Sequence, residues 1–362
     1  MPGCGSAAVR GPSAVRAPAG APLGRALPGR APLGRAPLGR TALSPVALGL
    51  AAGFLADRLF GDPRRGHPVA AFGRAAGAVE RVLWRDDRGR GALHTAVCAG
   101  GAAGLAALAA RTVRGLPAAA TVLAAAATWT VIGGTSLGRE ARTIGGALAA
   151  GDTEAARERL PHLCGRDPQA LDDQQIARAV VESVAENTSD AVVGALVWGA
   201  VAGVPGLVAF RAVNTLDAMV GHRSPRYLRF GWAAARLDDV AGWPGARLTA
   251  ALAIAAGGDP RGAVRAVRAD AAKHPSPNAG PVEASFAGAL GVRLGGTLAY
   301  GGRVEHRPVL NGGGRPVEVA DIERAVRLSH RVNVLALAAG VAGRAAYGLL
   351  RSRGRAKGRG RR

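Results

Sequence analysis

The sequence predicts an all-α, polytopic integral membrane protein with about four to seven hydrophobic helices. Of its 362 residues, 48% are hydrophobic, and the mean hydropathy is +0.12 although 20% of the residues are charged. The charges gather in Arg-rich loops and leave long uncharged windows, close to the ~20 residues that a helix needs to cross hydrocarbon. Aromatic residues make up only 4%, so small and aliphatic side chains supply the buried surface and let helices pack closely.

Seven apolar windows are candidate membrane helices. The four strongest are 93–110, 116–138, 191–210 and 332–350. The weaker three, which are short or interrupted by arginine, are 42–56, 240–257 and 284–300. Pro205 predicts a kink in the third strong window because proline lacks a backbone N–H. Arg344 must face protein or reach the interface.

Two low-complexity ends flank the hydrophobic region. Residues 1–41 repeat Ala-Pro-Leu-Gly-Arg, and Pro and Gly at this density predict a disordered tail. Residues 42–350 form the predicted membrane-embedded helical catalytic domain, and 351–362 form a second, basic disordered tail. The two ends hold 13 of the 22 excess positive charges and no acidic residue. Such ends favour contact with the lipid bilayer, and no nucleic-acid-binding motif accompanies them, so no nucleic-acid partner is expected.

The densest polar stretch is 182–190, directly before the apolar window 191–210. In a helix Glu182, Glu186 and Asp190 share one face, and such a trio predicts a Mg²⁺ site that leaves positions for phosphate oxygens. Asn187 is a candidate substrate ligand. A capping box from Ser183 to Glu186 is the structural alternative, but it leaves Glu182 unexplained.

The pattern Asn-Thr-x-Asp occurs at 187–190 and again at 214–217, on the other side of the apolar window. Asn214, like Asn187, is a candidate substrate ligand, and Asp217, Asp238 and Asp239 are further metal candidates. Arg223 and Arg226 lie between these acids and are candidate phosphate ligands. A solvated loop with surface ion pairs is the alternative interpretation of this basic stretch.

A proline-containing loop at 270–280 carries Lys273, His274, Ser276 and Asn278. Lys273 predicts a phosphate contact because it is one of only two lysines in an Arg-rich chain. His274 is a candidate general base, and Lys273, His274 and Glu186 form the predicted catalytic set. Ser276 and Asn278 are candidate substrate ligands. His67, beside Pro68, is typical of a turn. The sequence contains no Walker A, HExxH or Gly-x-Ser-x-Gly motif, so any nucleotide use is unconventional.

Together these motifs resemble the CobD/CbiB family over about residues 43–345. The stretches that carry the resemblance are Gly61-Asp62-Pro63 with His67-Pro68, 182–190 (ESVAENTSD), 214–221 (NTLDAMVG), 226–239 (RYLRFGWAAARLDD), 273–280 (KHPSPNAG), 290–296 (LGVRLGG) and Tyr300-Gly301.

The resemblance implies an adenosylcobinamide-phosphate synthase of cobalamin biosynthesis in the plasma membrane. It implies ATP-dependent amide formation between adenosylcobyric acid, a corrinoid, and (R)-1-amino-2-propanol phosphate or aminopropanol. ATP and Mg²⁺ are the implied cofactors, and other enzymes of the cobalamin pathway are candidate partners. A transporter of a small polar or anionic solute is the alternative.

The paired motifs impose a topological condition. If 191–210 crossed the bilayer once, the two Asn-Thr-x-Asp patterns would lie on opposite sides, about 30 Å apart. A shared site therefore predicts that this window is re-entrant, broken near Gly203–Pro205, or packed so that both patterns reach one cavity.

Overall fold

The computed structural model describes residues 44–63, 66–164, 168–169, 171–300 and 303–359. The predicted N-terminal tail, 1–41, lies outside them. The α-helices are α1 (Pro45–Phe60), α2 (Pro68–Leu83), α3 (Arg88–Thr112), α4 (Pro117–Val131), α5 (Gly134–Ala149), α6 (Thr153–Arg159), α7 (Asp173–Thr188), α8 (Gly194–Leu216), α9 (Trp232–Ala256), α10 (Pro260–Asp270), α11 (Ala279–Leu290) and α12 (Ala320–Arg359). Short 3-10 turns cover Leu160–His162 and Ala271–Lys273, and π-helical turns cover Ser189–Val193 and Asp217–Gly221.

The predicted all-α membrane class is confirmed, with one antiparallel hairpin as the departure. Strands β1 (Leu294–Tyr300) and β2 (Arg303–Leu310) pair with each other. The weak window 284–300 is therefore not a membrane helix. Its helical part ends at Gly291, which has a left-handed φ of 71° and closes α11 before the strand begins.

Among the described residues, three helical segments are long and apolar enough to cross a membrane: Arg88–Thr112, Pro117–Ala149 and Asp173–Gly221. The second segment is two helices, because Ile132 is extended and separates α4 from α5, so the window 116–138 is not one straight span. The first two segments are mostly exposed, whereas 61% of the apolar window in the third is buried inside the protein. The third segment therefore belongs to the protein core.

Helix α8 doubles back on itself at Gly203, which has φ 68° and ψ −153° inside an otherwise helical run. A β-carbon on Gly194 would overlap the Phe210 ring, and one on Gly206 would overlap backbone of Trp198. In a straight helix Gly194 and Phe210 would stand about 24 Å apart. The predicted break near Gly203–Pro205 is confirmed, and α8 is a helical hairpin.

Arg344 of α12 completes this hairpin. Its Nη1 donates to the carbonyl oxygens of Ala200 and Val201 at 3.0 and 3.2 Å. These carbonyls end the first arm and lose their helical partners at the break, and the Arg344 guanidinium satisfies them. Arg344 faces protein, one of the two placements that the sequence left open.

Asp152 caps α6, since its side chain accepts from the Ala155 N–H. Two sequence predictions also meet the structure near helix ends. His67 caps α2 in a turn, as its position beside proline predicts. Helix α12 continues through residues 351–359, which differs from the predicted start of the C-terminal tail.

A half-buried histidine on α12 gives a pH-dependent prediction. Burial, together with the nearby charges of Arg58 and Arg142, lowers the pKa of His330 from 6.5 to about 4. Between these values the unfolded chain binds a proton that the folded protein does not, so stability falls as pH drops. When the pH is lowered from about 7 to about 5, we expect the melting temperature of His330→Gln to fall less than that of the wild type. An equal loss in both proteins would contradict this assignment.

Candidate functional site

Both Asn-Thr-x-Asp patterns end in a π-helical turn at the open end of the α8 hairpin. Asp190 lies in the turn Ser189–Val193 before the first arm, and Asp217 lies in the turn Asp217–Gly221 after the second arm. Such π-turns occur often at functional sites. The repeated sequence is thus a repeated local structure, and the fold-back at Gly203 brings its two copies to the same end of the hairpin.

Four carboxylates gather at this end, which we call the carboxylate cluster: Glu186, Asp190, Asp217 and Asp238. Asp190 lies within electrostatic range of the other three. Burial, together with the charges of Asp217, Asp239 and Glu186, raises the pKa of Asp238 to about 7, although a hydrogen bond from Asn214 opposes the rise. Like charges this close in a partly buried site favour a cationic ligand.

Asn214 and Arg211 connect the acids. The Asn214 Nδ2 donates to Asp238 Oδ1 at 3.5 Å, and its Oδ1 accepts from Arg211 Nη1 at 3.4 Å. Arg211 also lies in electrostatic range of Asp190 and Asp62. Sequence reasoning missed Arg211 and gave Asp62 no role. The available signal was an arginine placed directly between the apolar window and the second motif, since ionisable groups there are commonly functional.

Asp62 and Asp57 extend the polar region from α1 toward α5. Asp57 is buried, and its Oδ2 accepts from the Thr135 N–H at 3.1 Å and from the Thr135 hydroxyl at 3.0 Å. Asp57 thereby satisfies a free donor at the start of α5. The segment 57–62 thus anchors α5 beside the carboxylate cluster.

Glu182 does not join the cluster that was predicted for it. Its carboxylate is buried, accepts from the Gly295 N–H of β1 at 2.7 Å and lies 4.0 Å from Arg178. Glu186, one turn later, is exposed and faces the carboxylate cluster. The predicted trio on one helix face is therefore divided, because the hairpin β1–β2 packs over only its first member.

The capping-box alternative for Ser183 and Glu186 is wrong. Ser183 lies inside α7 and donates its hydroxyl to Leu163 O, while the capping box of this helix is formed by Asp172 and Gln175. Asn187 donates to Ser183 O at 2.9 Å, which fixes its amide against the helix.

The Glu182 and Glu186 pair gives a matched test. We expect Glu182→Gln to lower the free energy of unfolding by about 1–3 kcal/mol, because it weakens a buried charge-assisted hydrogen bond. Glu186→Gln is expected to keep its stability and to lose turnover. Thermal unfolding and activity of both variants in the same detergent check this. Equal stability losses would contradict the division of the trio.

The proline loop packs against the same end of α9. Asn278 is buried and donates from Nδ2 to Asp239 O at 2.9 Å, while its Oδ1 is buried and unpartnered among the described residues. Ser276 accepts from the N–H groups of Asn278 and Ala279 and so begins α11. Asn278 is the member of this loop that the structure places beside the acids.

Lys273 and His274 are held within the loop. The Lys273 Nζ donates to Asp270 at 2.7 Å. The His274 side chain is buried, with Nδ1 accepting from Ser276 N and Nε2 3.7 Å from Glu283. These contacts stiffen the loop. The phosphate role of Lys273 and the base role of His274 stay predictions.

The two predicted arginine ligands lie in different surroundings. Arg226 donates to Glu80 at 3.1 Å and stacks over Trp84 at 4.4 Å, so it ties the loop before α9 to α2. Arg223 is exposed and donates no hydrogen bond to the described residues. Asp239 lies 3.5 Å from Arg236 and meets the cluster mainly through its charge.

The carboxylate cluster fits Mg²⁺ only if other ligands complete the coordination of the ion. Within the part of the chain that the structure describes, no three His, Cys, Asp or Glu side chains form a group that could enclose a metal ion alone. Mg²⁺ commonly binds one or two carboxylates and takes its remaining ligands from water and substrate phosphate. The carboxylate cluster therefore fits an ion that shares its coordination with a phosphorylated substrate.

Sequence comparison with known proteins identifies a family. Residues 50–329 match the family model described as CobD/Cbib protein. A protein named cobalamin biosynthesis protein CobD from Mycobacterium tuberculosis (strain ATCC 25618 / H37Rv) is 57% identical over 286 residues, covering 77% of this chain and 90% of that protein. Proteins with the same name from Chromobacterium violaceum and Sinorhizobium fredii are 44% and 40% identical, each covering 78% of this chain and 91% and 92% of their own lengths.

No solved structure matches the chain. The resemblance seen in the sequence motifs is confirmed over most of their range, including both copies of Asn-Thr-x-Asp and the proline loop. From the extent of the family match and the identity to these relatives, the chain belongs to the CobD/CbiB family.

Proposed function

We propose that this protein is an ATP-dependent amide ligase of cobalamin biosynthesis, in the plasma membrane. It joins adenosylcobyric acid to (R)-1-amino-2-propanol phosphate, or to aminopropanol, and gives adenosylcobinamide phosphate or adenosylcobinamide. The names of its relatives support the pathway. The observation that carries the proposal is the fold-back of α8, which joins two acidic motifs into one site.

The chemistry requires an activated carboxylate, because a carboxylate and an amine do not condense readily in water. A propionate oxygen of the corrinoid attacks the γ-phosphorus of ATP, and ADP leaves. The amine nitrogen then attacks the acyl carbon, phosphate leaves, and the proton of the nitrogen passes to a base. When bound, Mg²⁺ would offset phosphate charge during both transfers.

The residues of the site have corresponding roles in this proposal. Asp190, Asp217 and Asp238 would hold the Mg²⁺ that accompanies the phosphates. Asn214 and Asn278 orient the substrate with amide groups, and Arg211 stabilises phosphate charge from the inner side of the cluster. Arg223, which is exposed, is free to reach the phosphate of the amine substrate.

A turnover assay separates this proposal from transport. Purified protein in detergent is incubated with adenosylcobyric acid, ATP-Mg²⁺ and aminopropanol phosphate, and mass spectrometry measures the amide and ADP. Amide and ADP formed in equal amounts support ligation, since a detergent solution has no gradient to transport along. Absence of amide with a folded protein and every substrate in excess would overturn the proposal.

A further inference from the structure

A second polar feature lies far from the carboxylate cluster. A cavity of about 340 Å³ opens between the C-terminal ends of α9 and α11 and the side of α12. Its described lining includes Arg324, Arg327 and Arg331 and no acidic residue. Gly257, which also lines it, lies nineteen residues beyond Asp238 of that cluster, roughly 28 Å along α9. The cavity is therefore distinct from the proposed ligase site.

Two of the arginines already contact helix ends. Arg324 donates from Nη2 to Leu290 O at 2.9 Å, and Arg331 donates from Nη1 to Ala256 O at 3.3 Å. These carbonyls belong to the last turns of α11 and α9, where cationic side chains commonly bind. Each guanidinium carries five N–H donors, so these contacts leave donors that can face the cavity.

The nearby acids are engaged by arginines outside the cavity lining. Asp321 pairs with Arg324, but it also receives two hydrogen bonds from Arg315, at 2.7 and 2.8 Å. Glu323 accepts from Arg142 at 2.7 Å. Arg327 has no hydrogen-bond acceptor among the described residues and faces Glu323 only at longer range. Helix capping thus explains two of the three arginines, and positive charge remains at the cavity.

The surface next to the cavity is apolar. Val334 and Leu335 follow Arg327 and Arg331 on the same face of α12, and their exposed fractions are 52% and 40%. Arginine at the end of an exposed apolar face is typical of the level where lipid headgroups meet hydrocarbon. The positive charge of the cavity arginines favours an anionic ligand. The apolar surface beside the cavity indicates that this anion is attached to acyl chains.

We infer that the cavity binds the phosphate of an anionic phospholipid headgroup, with Arg327 and Arg331 as its principal ligands. The guanidinium fork matches phosphate oxygens in geometry and charge. The acyl chains of the same lipid lie along Val334 and Leu335. The inference does not depend on the proposed ligase activity, because the cavity and the carboxylate cluster share no residue.

Lipid titration of delipidated protein tests this inference. Phosphatidylglycerol, with phosphatidylcholine for comparison, is added to protein in neutral detergent, and native mass spectrometry measures bound lipid. We expect saturable binding of phosphatidylglycerol by the wild type, and binding weaker by about tenfold or more in Arg327→Gln/Arg331→Gln. Arg74→Gln, which removes an exposed arginine of α2, is the matched control and should bind like the wild type.

Two additional measurements test the inference further. Arg327→Gln alone removes no hydrogen bond to the described residues, so it is expected to melt like the wild type and still to bind less lipid. Inorganic phosphate is titrated separately to distinguish the source of the ligand. Equal lipid binding by the wild type, Arg327→Gln and Arg327→Gln/Arg331→Gln would overturn the proposed lipid site. Arginine-dependent binding of inorganic phosphate without lipid binding would overturn the lipid assignment.

Discussion

Asp190→Asn is expected to lower amide formation by about a hundredfold or more while the protein stays folded. Asp190 stands among Glu186, Asp217 and Asp238, where its carboxylate would bind the cation that accompanies the phosphates. The variant removes that charge and keeps the size and polarity of the side chain. Since it also relieves repulsion within the carboxylate cluster, the thermal midpoint should be unchanged or higher. Activity and unfolding are measured on the same preparation.

The combination of lost turnover and kept stability is what distinguishes a functional acid from a structural one. Glu154→Gln is a suitable control, because Glu154 is an exposed surface residue whose one ion pair with a described residue is to Arg157 in its own helix. That variant should retain full activity. An Asp190→Asn protein that ligates like the wild type at low substrate concentration would show that the cluster does not carry the chemistry.

Gly203→Ala is expected to lower the free energy of unfolding by about 1–3 kcal/mol and to reduce turnover of the folded protein. Gly203 adopts φ 68° and ψ −153°, a region that is open essentially to glycine alone. Neighbouring atoms leave room for a methyl group, so the effect comes from the backbone. Relief of this strain changes the angle between the two arms, and that angle sets the approach of Asp190 to Asp217.

Gly101→Ala is the matched control for this prediction. Gly101 lies inside α3 with open space around it, and alanine there should stabilise the helix by about 0.5–1 kcal/mol. Denaturant unfolding in detergent compares the two variants, and the turnover assay is normalised to folded protein. A Gly203→Ala protein as stable and active as Gly101→Ala would show that α8 does not need its break.

Much of the fold is predictable because apolar windows and helix boundaries are local properties. The windows at 93–110 and 191–210, the cap at Asp152 and the break near Gly203 all follow from residue type and order. The hairpin β1–β2 does not, because apolar composition alone does not distinguish a strand from a continued helix at 294–300. The register of two strands depends on contacts that a single window does not contain.

The local motifs of the site are also predictable from the sequence, whereas its tertiary contacts are not. The repeated Asn-Thr-x-Asp pattern marks both halves of the carboxylate cluster, and the need for a shared cavity predicts the fold-back. Glu182 and Arg211 show where sequence reasoning ends. Helical spacing places Glu182 on the face of Glu186, but only packing reveals that β1 covers it. Arg211 meets Asn214 within one turn of α8, but its proximity to Asp62 of a distant segment is made by tertiary structure.

The central claim is that both ends of the α8 hairpin lie on one side of the membrane, and cysteine labelling tests it most directly. Single cysteines replace Glu186, before the hairpin, and Ala218, after it, both exposed positions, in a chain whose three native cysteines are changed to alanine. A membrane-impermeant maleimide is applied to sealed vesicles from either side. The fold-back predicts that both positions react from the same side. Labelling of the two positions from opposite sides would contradict it, because α8 would then cross the bilayer once and divide the carboxylate cluster.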